Sequence, residues 1–128
     1  MTPDKDAPVR TMWAGKYISV LQQGRWEYVS RTGSVNAVVI LAEYEGKAIL
    51  VEQYRVPVGA RCLELPAGLV GDEDPNATVD ETAVKELEEE TGFTADRVEH
   101  LGQFHSSPGM VAESFTLVRA HGVRKVGE

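Results

Sequence analysis

Four glutamates lie together in the run from Lys85 to Glu90. On an α-helix, with about 3.6 residues per turn, Glu86 and Glu90 would lie one turn apart on one face, with Glu89 beside them. Three carboxylates this close repel one another, and a divalent cation among them would offset the repulsion. Mg²⁺ suits such a site, because it takes hard oxygen ligands, usually one or two carboxylates with waters and substrate phosphates. An acidic run can equally be a solvated helix face, so the flanking sequence has to decide.

The residues around this run predict a helix that follows a strand and a turn. Thr78, with Glu81 three residues later, predicts a capping box, and Gly92 marks the expected helix end. Pro66 and Gly68 break the preceding strand into an acidic loop. An apolar stripe accompanies the acidic one along the helix, at Val79, Ala83, Val84 and Leu87. The helix is therefore expected to pack on one side and to present carboxylates on the next.

Length and composition restrict the class of protein. The 128 residues, 42% hydrophobic and 26% charged, are typical of one globular domain. A net charge of -7 argues against nonspecific binding to nucleic acid, since phosphate backbones recruit Lys and Arg in excess. The chain shows neither a signal-peptide pattern nor the roughly 20 apolar residues that span a bilayer, so we expect a cytoplasmic protein without a membrane partner. The single cysteine excludes an internal disulfide and a Cys-type zinc site.

The strand pattern predicts a sheet that positions the helix. Val35 to Ala42 is an almost continuous apolar run, which is typical of a strand covered on both faces. We expect Ala48 to Tyr54 to pair back on it across a turn at Gly46. Residues 1–12 are polar and expected to be frayed. The other predicted strands are Lys16 to Leu21 and Arg25 to Ser30, which form a hairpin, and Cys62 to Leu65, Val98 to Phe104 and Ser114 to Ala120.

From Gly71 to Phe93 the sequence resembles the Nudix box, G-x5-E-x7-R-E-U-x-E-E-x-G-U, where U is a bulky apolar residue. Ala77 stands where the first Glu of the box belongs, and Lys85 replaces Arg. Alternatively the box glycine is Gly68, Asp74 replaces the Glu, and the loop has gained three residues. We prefer the lengthened loop, because L-P-A-G looks like the segment that precedes the box in ADP-ribose pyrophosphatases. The positions in register are Gly71, Glu86, Leu87, Glu89, Glu90, Gly92 and Phe93.

The resemblance to the ADP-ribose pyrophosphatase branch continues outside the box, in the runs Trp26 to Arg31 and Leu50 to Arg55 and in Pro108. It implies an α/β fold, a Nudix-type α/β/α sandwich with a mixed sheet, preceded by a small N-terminal antiparallel β hairpin. Residues 1–34 would serve dimerisation and base stacking, and residues 35–128 would form the catalytic domain. The resemblance leads us to expect a further strand and helix after residue 128, so the sequence is either naturally short or a truncated portion.

The resemblance also implies a metal site. The ligands would be the backbone carbonyl of Ala67 and the carboxylates of Glu86 and Glu90, holding Mg²⁺ with Mn²⁺ as a substitute. Glu89 would bind a second ion or orient a water, and Glu113 would be the general base. The expected reaction is hydrolysis of ADP-ribose to AMP and ribose 5-phosphate. The alternatives are another nucleoside diphosphate sugar or a dinucleotide as substrate, or a binding module without catalysis.

Six residues are assigned to the substrate on the same basis. Arg55 and Arg31 are candidates for the diphosphate, although either is equally a surface arginine. Trp26 is a candidate adenine stacker, with a core tryptophan as the alternative interpretation. Tyr17 and Trp13 would form the opposite wall of the base site, from the partner subunit of a homodimer. The full set is Tyr17, Trp26, Glu27, Arg31, Arg55 and Leu69.

Overall fold

A computed structural model describes residues 4–33, 36–72 and 74–127 of the chain. Of these, residues 4–33 and 105–114 form a compact N-terminal unit, and residues 36–72, 74–104 and 115–127 form a larger unit. The predicted division after residue 34 differs in one respect, because residues 105–114 group with the N-terminal unit. No helix within the described ranges is long and apolar enough to cross a membrane.

The N-terminal unit contains a three-stranded antiparallel sheet in the order β1-β2-β3, with strands Val9–Ala14, Ile18–Gln23 and Trp26–Arg31. The predicted hairpin is present as β2 and β3, which turn at Gly24 with φ 60°. The expectation of fraying up to residue 12 is wrong for β1. Its residues pair with β2 from Val9 opposite Gln23 to Ala14 opposite Ser19, because β2 otherwise leaves an unpaired edge of backbone N–H and C=O groups.

The free edge of β3 is covered by the segment 110–112 of the same unit. The backbone N–H of Val29 donates to the carbonyl of Met110 at 2.8 Å, and the N–H of Ala112 donates to the carbonyl of Val29 at 2.8 Å. This short parallel bridge holds residues that are far apart in sequence against one strand. The contact also accounts for the grouping of residues 105–114 with the N-terminal unit.

The larger unit is built on a four-stranded mixed sheet of β4 (Asn36–Leu41), β9 (Ala67–Val70), β11 (Arg97–His105) and β12 (Ser114–His121). The strand order is β11-β12-β4-β9. Strand β4 pairs in parallel with β12 on one side and antiparallel with β9 on the other. Three short antiparallel pairs complete the strands, namely β5 (Glu43–Tyr44) with β6 (Lys47–Ala48), β7 (Val51–Arg55) with β8 (Ala60–Glu64), and β10 (Phe93–Thr94) with β13 (Arg124–Lys125).

One α-helix, α1 (Val79–Thr91), lies in the described residues. The predicted capping box is confirmed, because Thr78 and Glu81 exchange side-chain to backbone hydrogen bonds. Gly92 ends the helix in the left-handed conformation with φ 77°, as predicted. The helix buries its apolar stripe in a core that it shares with the sheet, including Val38, Ile40, Ala83, Leu87 and Val118. The predicted mixed α/β class is confirmed, with one helical layer in the described part of the chain.

The predicted pairing of Ala48 to Tyr54 with the strand beginning at Val35 is largely wrong. Val35 lies outside the described residues, and only the two-residue strands β5 and β6 form the expected hairpin. Strand β7 instead pairs with β8, through the turn from Val56 to Gly59. Both neighbours of β4 are already supplied by β9 and β12, so β7 finds its partner locally.

Candidate active site

The carboxylates of Glu86 and Glu90 meet strand β9 in the larger unit. The backbone N–H of Ala67 donates to Oε1 of Glu90 at 3.1 Å. A Cβ added to Gly68 would clash with Cγ of Glu86 and lie 2.7 Å from its Cδ. Gly68 is therefore the residue whose small size lets α1 bring Glu86 against the strand. The structure thus brings together Ala67, Glu86 and Glu90, three of the four predicted metal-site residues.

Burial raises the pKa of the Glu90 carboxyl above its ordinary value. The N–H of Ala67 and the charge of Arg55 act in the opposite direction, while Glu64 and Glu89 add to the increase. Keeping Glu90 ionised therefore costs free energy, which a cation beside it would offset. The oxygens of Glu86 and Glu90 are hard donors, and two carboxylates match the number that Mg²⁺ usually takes from a protein. These residues fit the metal that the sequence predicts.

Glu89 points elsewhere. Its side chain is 55% exposed, and its Oε1 lies 4.0 Å from Nζ of Lys85, one turn earlier on the helix. Within residues 4–33, 36–72 and 74–127, no three His, Cys, Asp or Glu side chains are grouped so that they could hold a metal ion. The predicted convergence of three carboxylates is therefore not seen, because like charges repel and Glu89 has a lysine within reach. The roles of Glu89 in catalysis and metal binding stay predictions.

Arg55 and Glu64 form a two-pronged ion pair on the β7–β8 hairpin. Nε of Arg55 donates to Oε2 of Glu64 at 2.7 Å, and an NH2 proton donates to Oε1 at 2.6 Å. The hydrogen bonds from Arg55 lower the pKa of Glu64, and those to Glu64 raise the pKa of Arg55. Sequence analysis did not predict this partnership. The turn that follows Arg55 is the signal that would have revealed it, because it folds β8 back onto β7.

The loop between β9 and α1 surrounds a small polar cavity of about 160 Å³. Asp74 shapes this loop, since its Oδ1 accepts from the N–H of Asn76 at 2.9 Å and its carbonyl accepts from Ala77 at 3.0 Å. Leu69, predicted to contact the substrate, lies on this cavity together with Glu86. The described residues that line it are Leu69, Gly71, Asp72, Asp74, Ala77, Glu81, Thr82, Lys85 and Glu86.

The N-terminal unit has a cavity of its own, of about 310 Å³. Trp26 and Tyr28 project to the same side of β3 and line it, and Pro108 lines it from the segment 105–114. Trp26 is 51% exposed, so the alternative of a core tryptophan is wrong. Among the described residues, the lining consists of Asp4, Lys5, Gln23, Trp26, Tyr28, Pro108, Gly109, Val111 and Ala112.

The other predicted residues of the N-terminal unit lie away from this cavity. Nε of Arg31 donates to Oε2 of Glu113 at 2.7 Å, which joins a predicted substrate contact to the predicted base. Tyr17 is 67% exposed, with the ammonium of Lys16 5.3 Å from its ring centroid. Glu27 is exposed, and strand alternation places it on the opposite face of β3 from Trp26.

Comparisons with known proteins give a family match and similar curated proteins. The family model described as the NUDIX domain matches residues 32–125. The chain is 41% identical over 105 residues to a methanol dehydrogenase activator of Bacillus methanolicus, covering 81% of this chain and 54% of that protein. It is 41% identical over 88 residues to an ADP-ribose pyrophosphatase of Bacillus subtilis, covering 68% of this chain and 44% of that protein.

A solved structure supports the fold as well. The crystal structure of an ADP compounds hydrolase matches with a TM-score of 0.74 at 24% identity, over 94% of this chain and 68% of that one. The chain spans about half the length of the curated relatives it matches. Because the family match covers residues 32–125, which include β9, α1 and both carboxylates that meet the strand, the chain belongs to the Nudix family.

Proposed function

We propose that this chain carries the site of a Mg²⁺-dependent hydrolase that cleaves the diphosphate bond of ADP-ribose, giving AMP and ribose 5-phosphate. The observation that carries the proposal is the meeting of Glu86 and Glu90 with β9 at Ala67 and Gly68. Arg55 supplies positive charge near this edge, since its charge acts on Glu90. The choice of ADP-ribose is supported by the similarity to the Bacillus subtilis ADP-ribose pyrophosphatase.

Each residue near the strand has a distinct part in this proposal. Glu86, Glu90 and the carbonyl of Ala67 would hold Mg²⁺, with Mn²⁺ as a substitute. When bound, the ion withdraws charge from the phosphate oxygens and acidifies a water ligand. Arg55 binds the diphosphate through the N–H groups that Glu64 leaves free, since a guanidinium has five donors and Glu64 accepts from two nitrogens. Glu89, exposed on the next face of the helix, orients the attacking water.

The N-terminal unit supplies base recognition in this proposal. An aromatic face is worth roughly 1–3 kcal/mol per stacked base, and Trp26 offers one on an open cavity. Tyr28 and Pro108 make the rest of that wall apolar. The general base is assigned to Glu113, whose carboxylate is held by Arg31.

We further propose a homodimer in the cytoplasm, assembled through the N-terminal sheet. Met12 and Trp13 on β1 are 50% and 58% exposed, and apolar side chains of this size commonly become buried in an interface. Analytical ultracentrifugation at micromolar concentration is expected to give the mass of two chains. Trp13→Arg is expected to give one chain, because it would place a charge in the interface core. A monomeric unsubstituted protein would remove this part of the proposal.

The test of the activity uses a panel of substrates with one variant and one matched control. The protein is incubated with ADP-ribose, another nucleoside diphosphate sugar and a dinucleotide, with Mg²⁺ or with EDTA, and phosphomonoester products are measured. Glu90→Gln is expected to lose at least about 100-fold in activity, by analogy with metal-site substitutions. Glu88→Gln is the control, because Glu88 lies on the same helix but accepts from Thr94 at 2.8 Å.

The outcomes separate the alternatives. Faster release from another diphosphate compound would replace ADP-ribose as the substrate but leave the reaction. Release that Glu90→Gln does not reduce would remove the metal assignment. No product from any compound at high protein concentration would reject the hydrolase and favour a binding module.

A further inference from the structure

The β7–β8 hairpin carries two arginine–glutamate pairs of the same spacing on its two faces. Arg55 pairs with Glu64, and Arg61 pairs with Glu52; the partners in each pair are nine positions apart. In the register, Val51 lies opposite Glu64 and Arg55 opposite Ala60, whereas Glu52 lies opposite Leu63. Because successive side chains of a strand point to opposite faces, the two pairs lie on opposite sides of the hairpin.

The Arg55–Glu64 pair is the one whose charges shift the pKa of Glu90. Arg55 and Glu64 both act electrostatically on the Glu90 carboxyl, and Glu90 acts on Arg55 in return. Their side chains are 47% and 30% exposed, compared with 61% and 51% for Arg61 and Glu52. The pair made by Arg55 is therefore the more enclosed one and the one that acts electrostatically on Glu90.

The geometry of the Arg55–Glu64 pair fixes the direction of the guanidinium. Both oxygens of Glu64 accept, at 2.6 and 2.7 Å, from two different nitrogens of Arg55. A single hydrogen bond would leave the guanidinium plane free to rotate, whereas two parallel bonds define it. An arginine side chain otherwise loses rotamer entropy when a ligand immobilises it. The pair with Glu64 already restricts the side chain of Arg55 before a ligand binds, so binding of the ligand does not add this loss of entropy.

We propose that Glu64 is a positioning residue, which orients Arg55 for the diphosphate of the substrate through their two-pronged hydrogen bond. The role rests on the proposed function, because it takes Arg55 as the ligand of the diphosphate. Glu64 accepts from Nε and one NH2 of Arg55, and the remaining N–H groups of the fork stay available to phosphate oxygens. Glu64 itself touches neither substrate nor metal in this proposal.

The test is a double-mutant cycle with the opposite face of the hairpin as its control. Glu64→Gln, Arg55→Gln, the double variant and Glu52→Gln are compared for kcat and KM on ADP-ribose with Mg²⁺. Binding of ADP-ribose in EDTA is measured in parallel by titration calorimetry, which needs neither metal nor turnover. Melting temperatures check the fold, and Glu64→Asp replaces Glu64→Gln in the cycle if that variant does not fold.

Glu64→Gln is expected to lower kcat/KM and the affinity in EDTA about tenfold, the range of a charge-assisted hydrogen bond. In the Arg55→Gln background the same change is expected to lower kcat/KM and the affinity less than about twofold, because Glu64 acts on the substrate only through Arg55. Glu52→Gln is expected to stay within about twofold of the unsubstituted protein. A structural role of Glu64 that does not involve Arg55 would not produce this dependence.

Two results would overturn the positioning role. One is an equal effect of Glu64→Gln and Glu52→Gln, and the other is a loss from Glu64→Gln that persists undiminished without Arg55. A protein that binds ADP-ribose in EDTA but does not hydrolyse it would reject the hydrolase, while the binding cycle still decides the role of Glu64. Absence of both binding and hydrolysis by the unsubstituted protein would reject the proposed function and the positioning role together.

Discussion

Arg31 and Glu113 are hydrogen bonded at 2.7 Å although 82 positions separate them in the sequence. Both belong to the N-terminal unit, where the backbone of residues 110–112 lies along β3 and brings Glu113 next to the end of that strand. The two side chains are 34% and 25% exposed, so the pair is partly shielded from water. The proposed base and a proposed substrate contact are therefore a single ion pair.

This pair predicts different kinetic effects for its two members. Glu113→Gln is expected to lower kcat about 100-fold or more, since it removes the proposed base. Arg31→Gln is expected mainly to raise KM, since it removes a phosphate contact. Steady-state kinetics on ADP-ribose with Mg²⁺ measure both. If the two variants lose only a similar, small amount of thermal stability and keep full activity, the pair holds the segment 105–114 and has no part in the reaction.

Trp26 provides a prediction about base recognition that does not depend on catalysis. Trp26→Ala is expected to weaken AMP binding by roughly 1–3 kcal/mol, because the exposed indole on the cavity would be lost as a stacking surface. Trp26→Phe keeps an aromatic face, so its affinity for AMP should lie between those of Trp26→Ala and the unsubstituted protein. Titration calorimetry with AMP measures the effect, and ribose 5-phosphate, which has no base, is the control. Equal weakening of both ligands would mean that Trp26 supports the fold of the unit only.

Substitution of Gly68 tests how closely α1 must approach β9. Gly68→Ala is expected to displace Glu86, because the new Cβ would clash with its Cγ and lie 2.7 Å from its Cδ. Overpacking of this kind costs about 1–3 kcal/mol, and less if the side chain of Glu86 rotates away. Mn²⁺ affinity and hydrolysis should therefore fall more than the melting temperature does. A variant that binds Mn²⁺ and hydrolyses normally would show that the approach of α1 to β9 is not set by this glycine.

The parts of the fold that were predictable are those with a local cause. The capping box at Thr78 and the stop at Gly92 each depend on a few neighbouring residues, and both are present. The pairing of β7 was not predictable from its own residues, because its competitors for β4 were β9 and β12, which lie far away in the sequence. Strand β1 was missed for the same reason, since its partner edge on β2 exists only once the hairpin has formed.

The site shows the same limit at the level of side chains. Helical spacing placed Glu86 and Glu90 on one face, and the structure brings both to β9. Spacing could not show that Glu89 would turn toward Lys85, because that depends on rotamers and neighbouring charge. The pair between Arg31 and Glu113 depends on where the segment 105–114 docks, which no motif indicates. The sequence therefore predicted which residues would lie at the site, but not which side chains they would pair with.

Glu90 predicts an unusual dependence of stability on pH. Burial raises its pKa in the folded protein above the ordinary value of about 4.3. Its contribution to stability is therefore fully present below that ordinary pKa and is lost as the pH rises through the raised one. Glu90→Gln keeps an acceptor for the N–H of Ala67 but cannot ionise.

The melting temperature of Glu90→Gln, relative to that of the unsubstituted protein, is thus expected to increase from about pH 4 to about pH 8 in EDTA. Glu88→Gln gives the baseline for removing a carboxylate from the same helix away from β9. The opposite trend, with Glu90→Gln losing stability relative to the unsubstituted protein as the pH rises, would show that the ionised carboxylate is stabilising. Where the expected trend holds, excess Mg²⁺ should make the unsubstituted protein melt at a higher temperature than Glu90→Gln at pH 8, because only the ionised Glu90 gains a cation as partner. If Mg²⁺ stabilises the unsubstituted protein but not Glu90→Gln, the carboxylate that costs free energy in the absence of metal is the one that binds Mg²⁺.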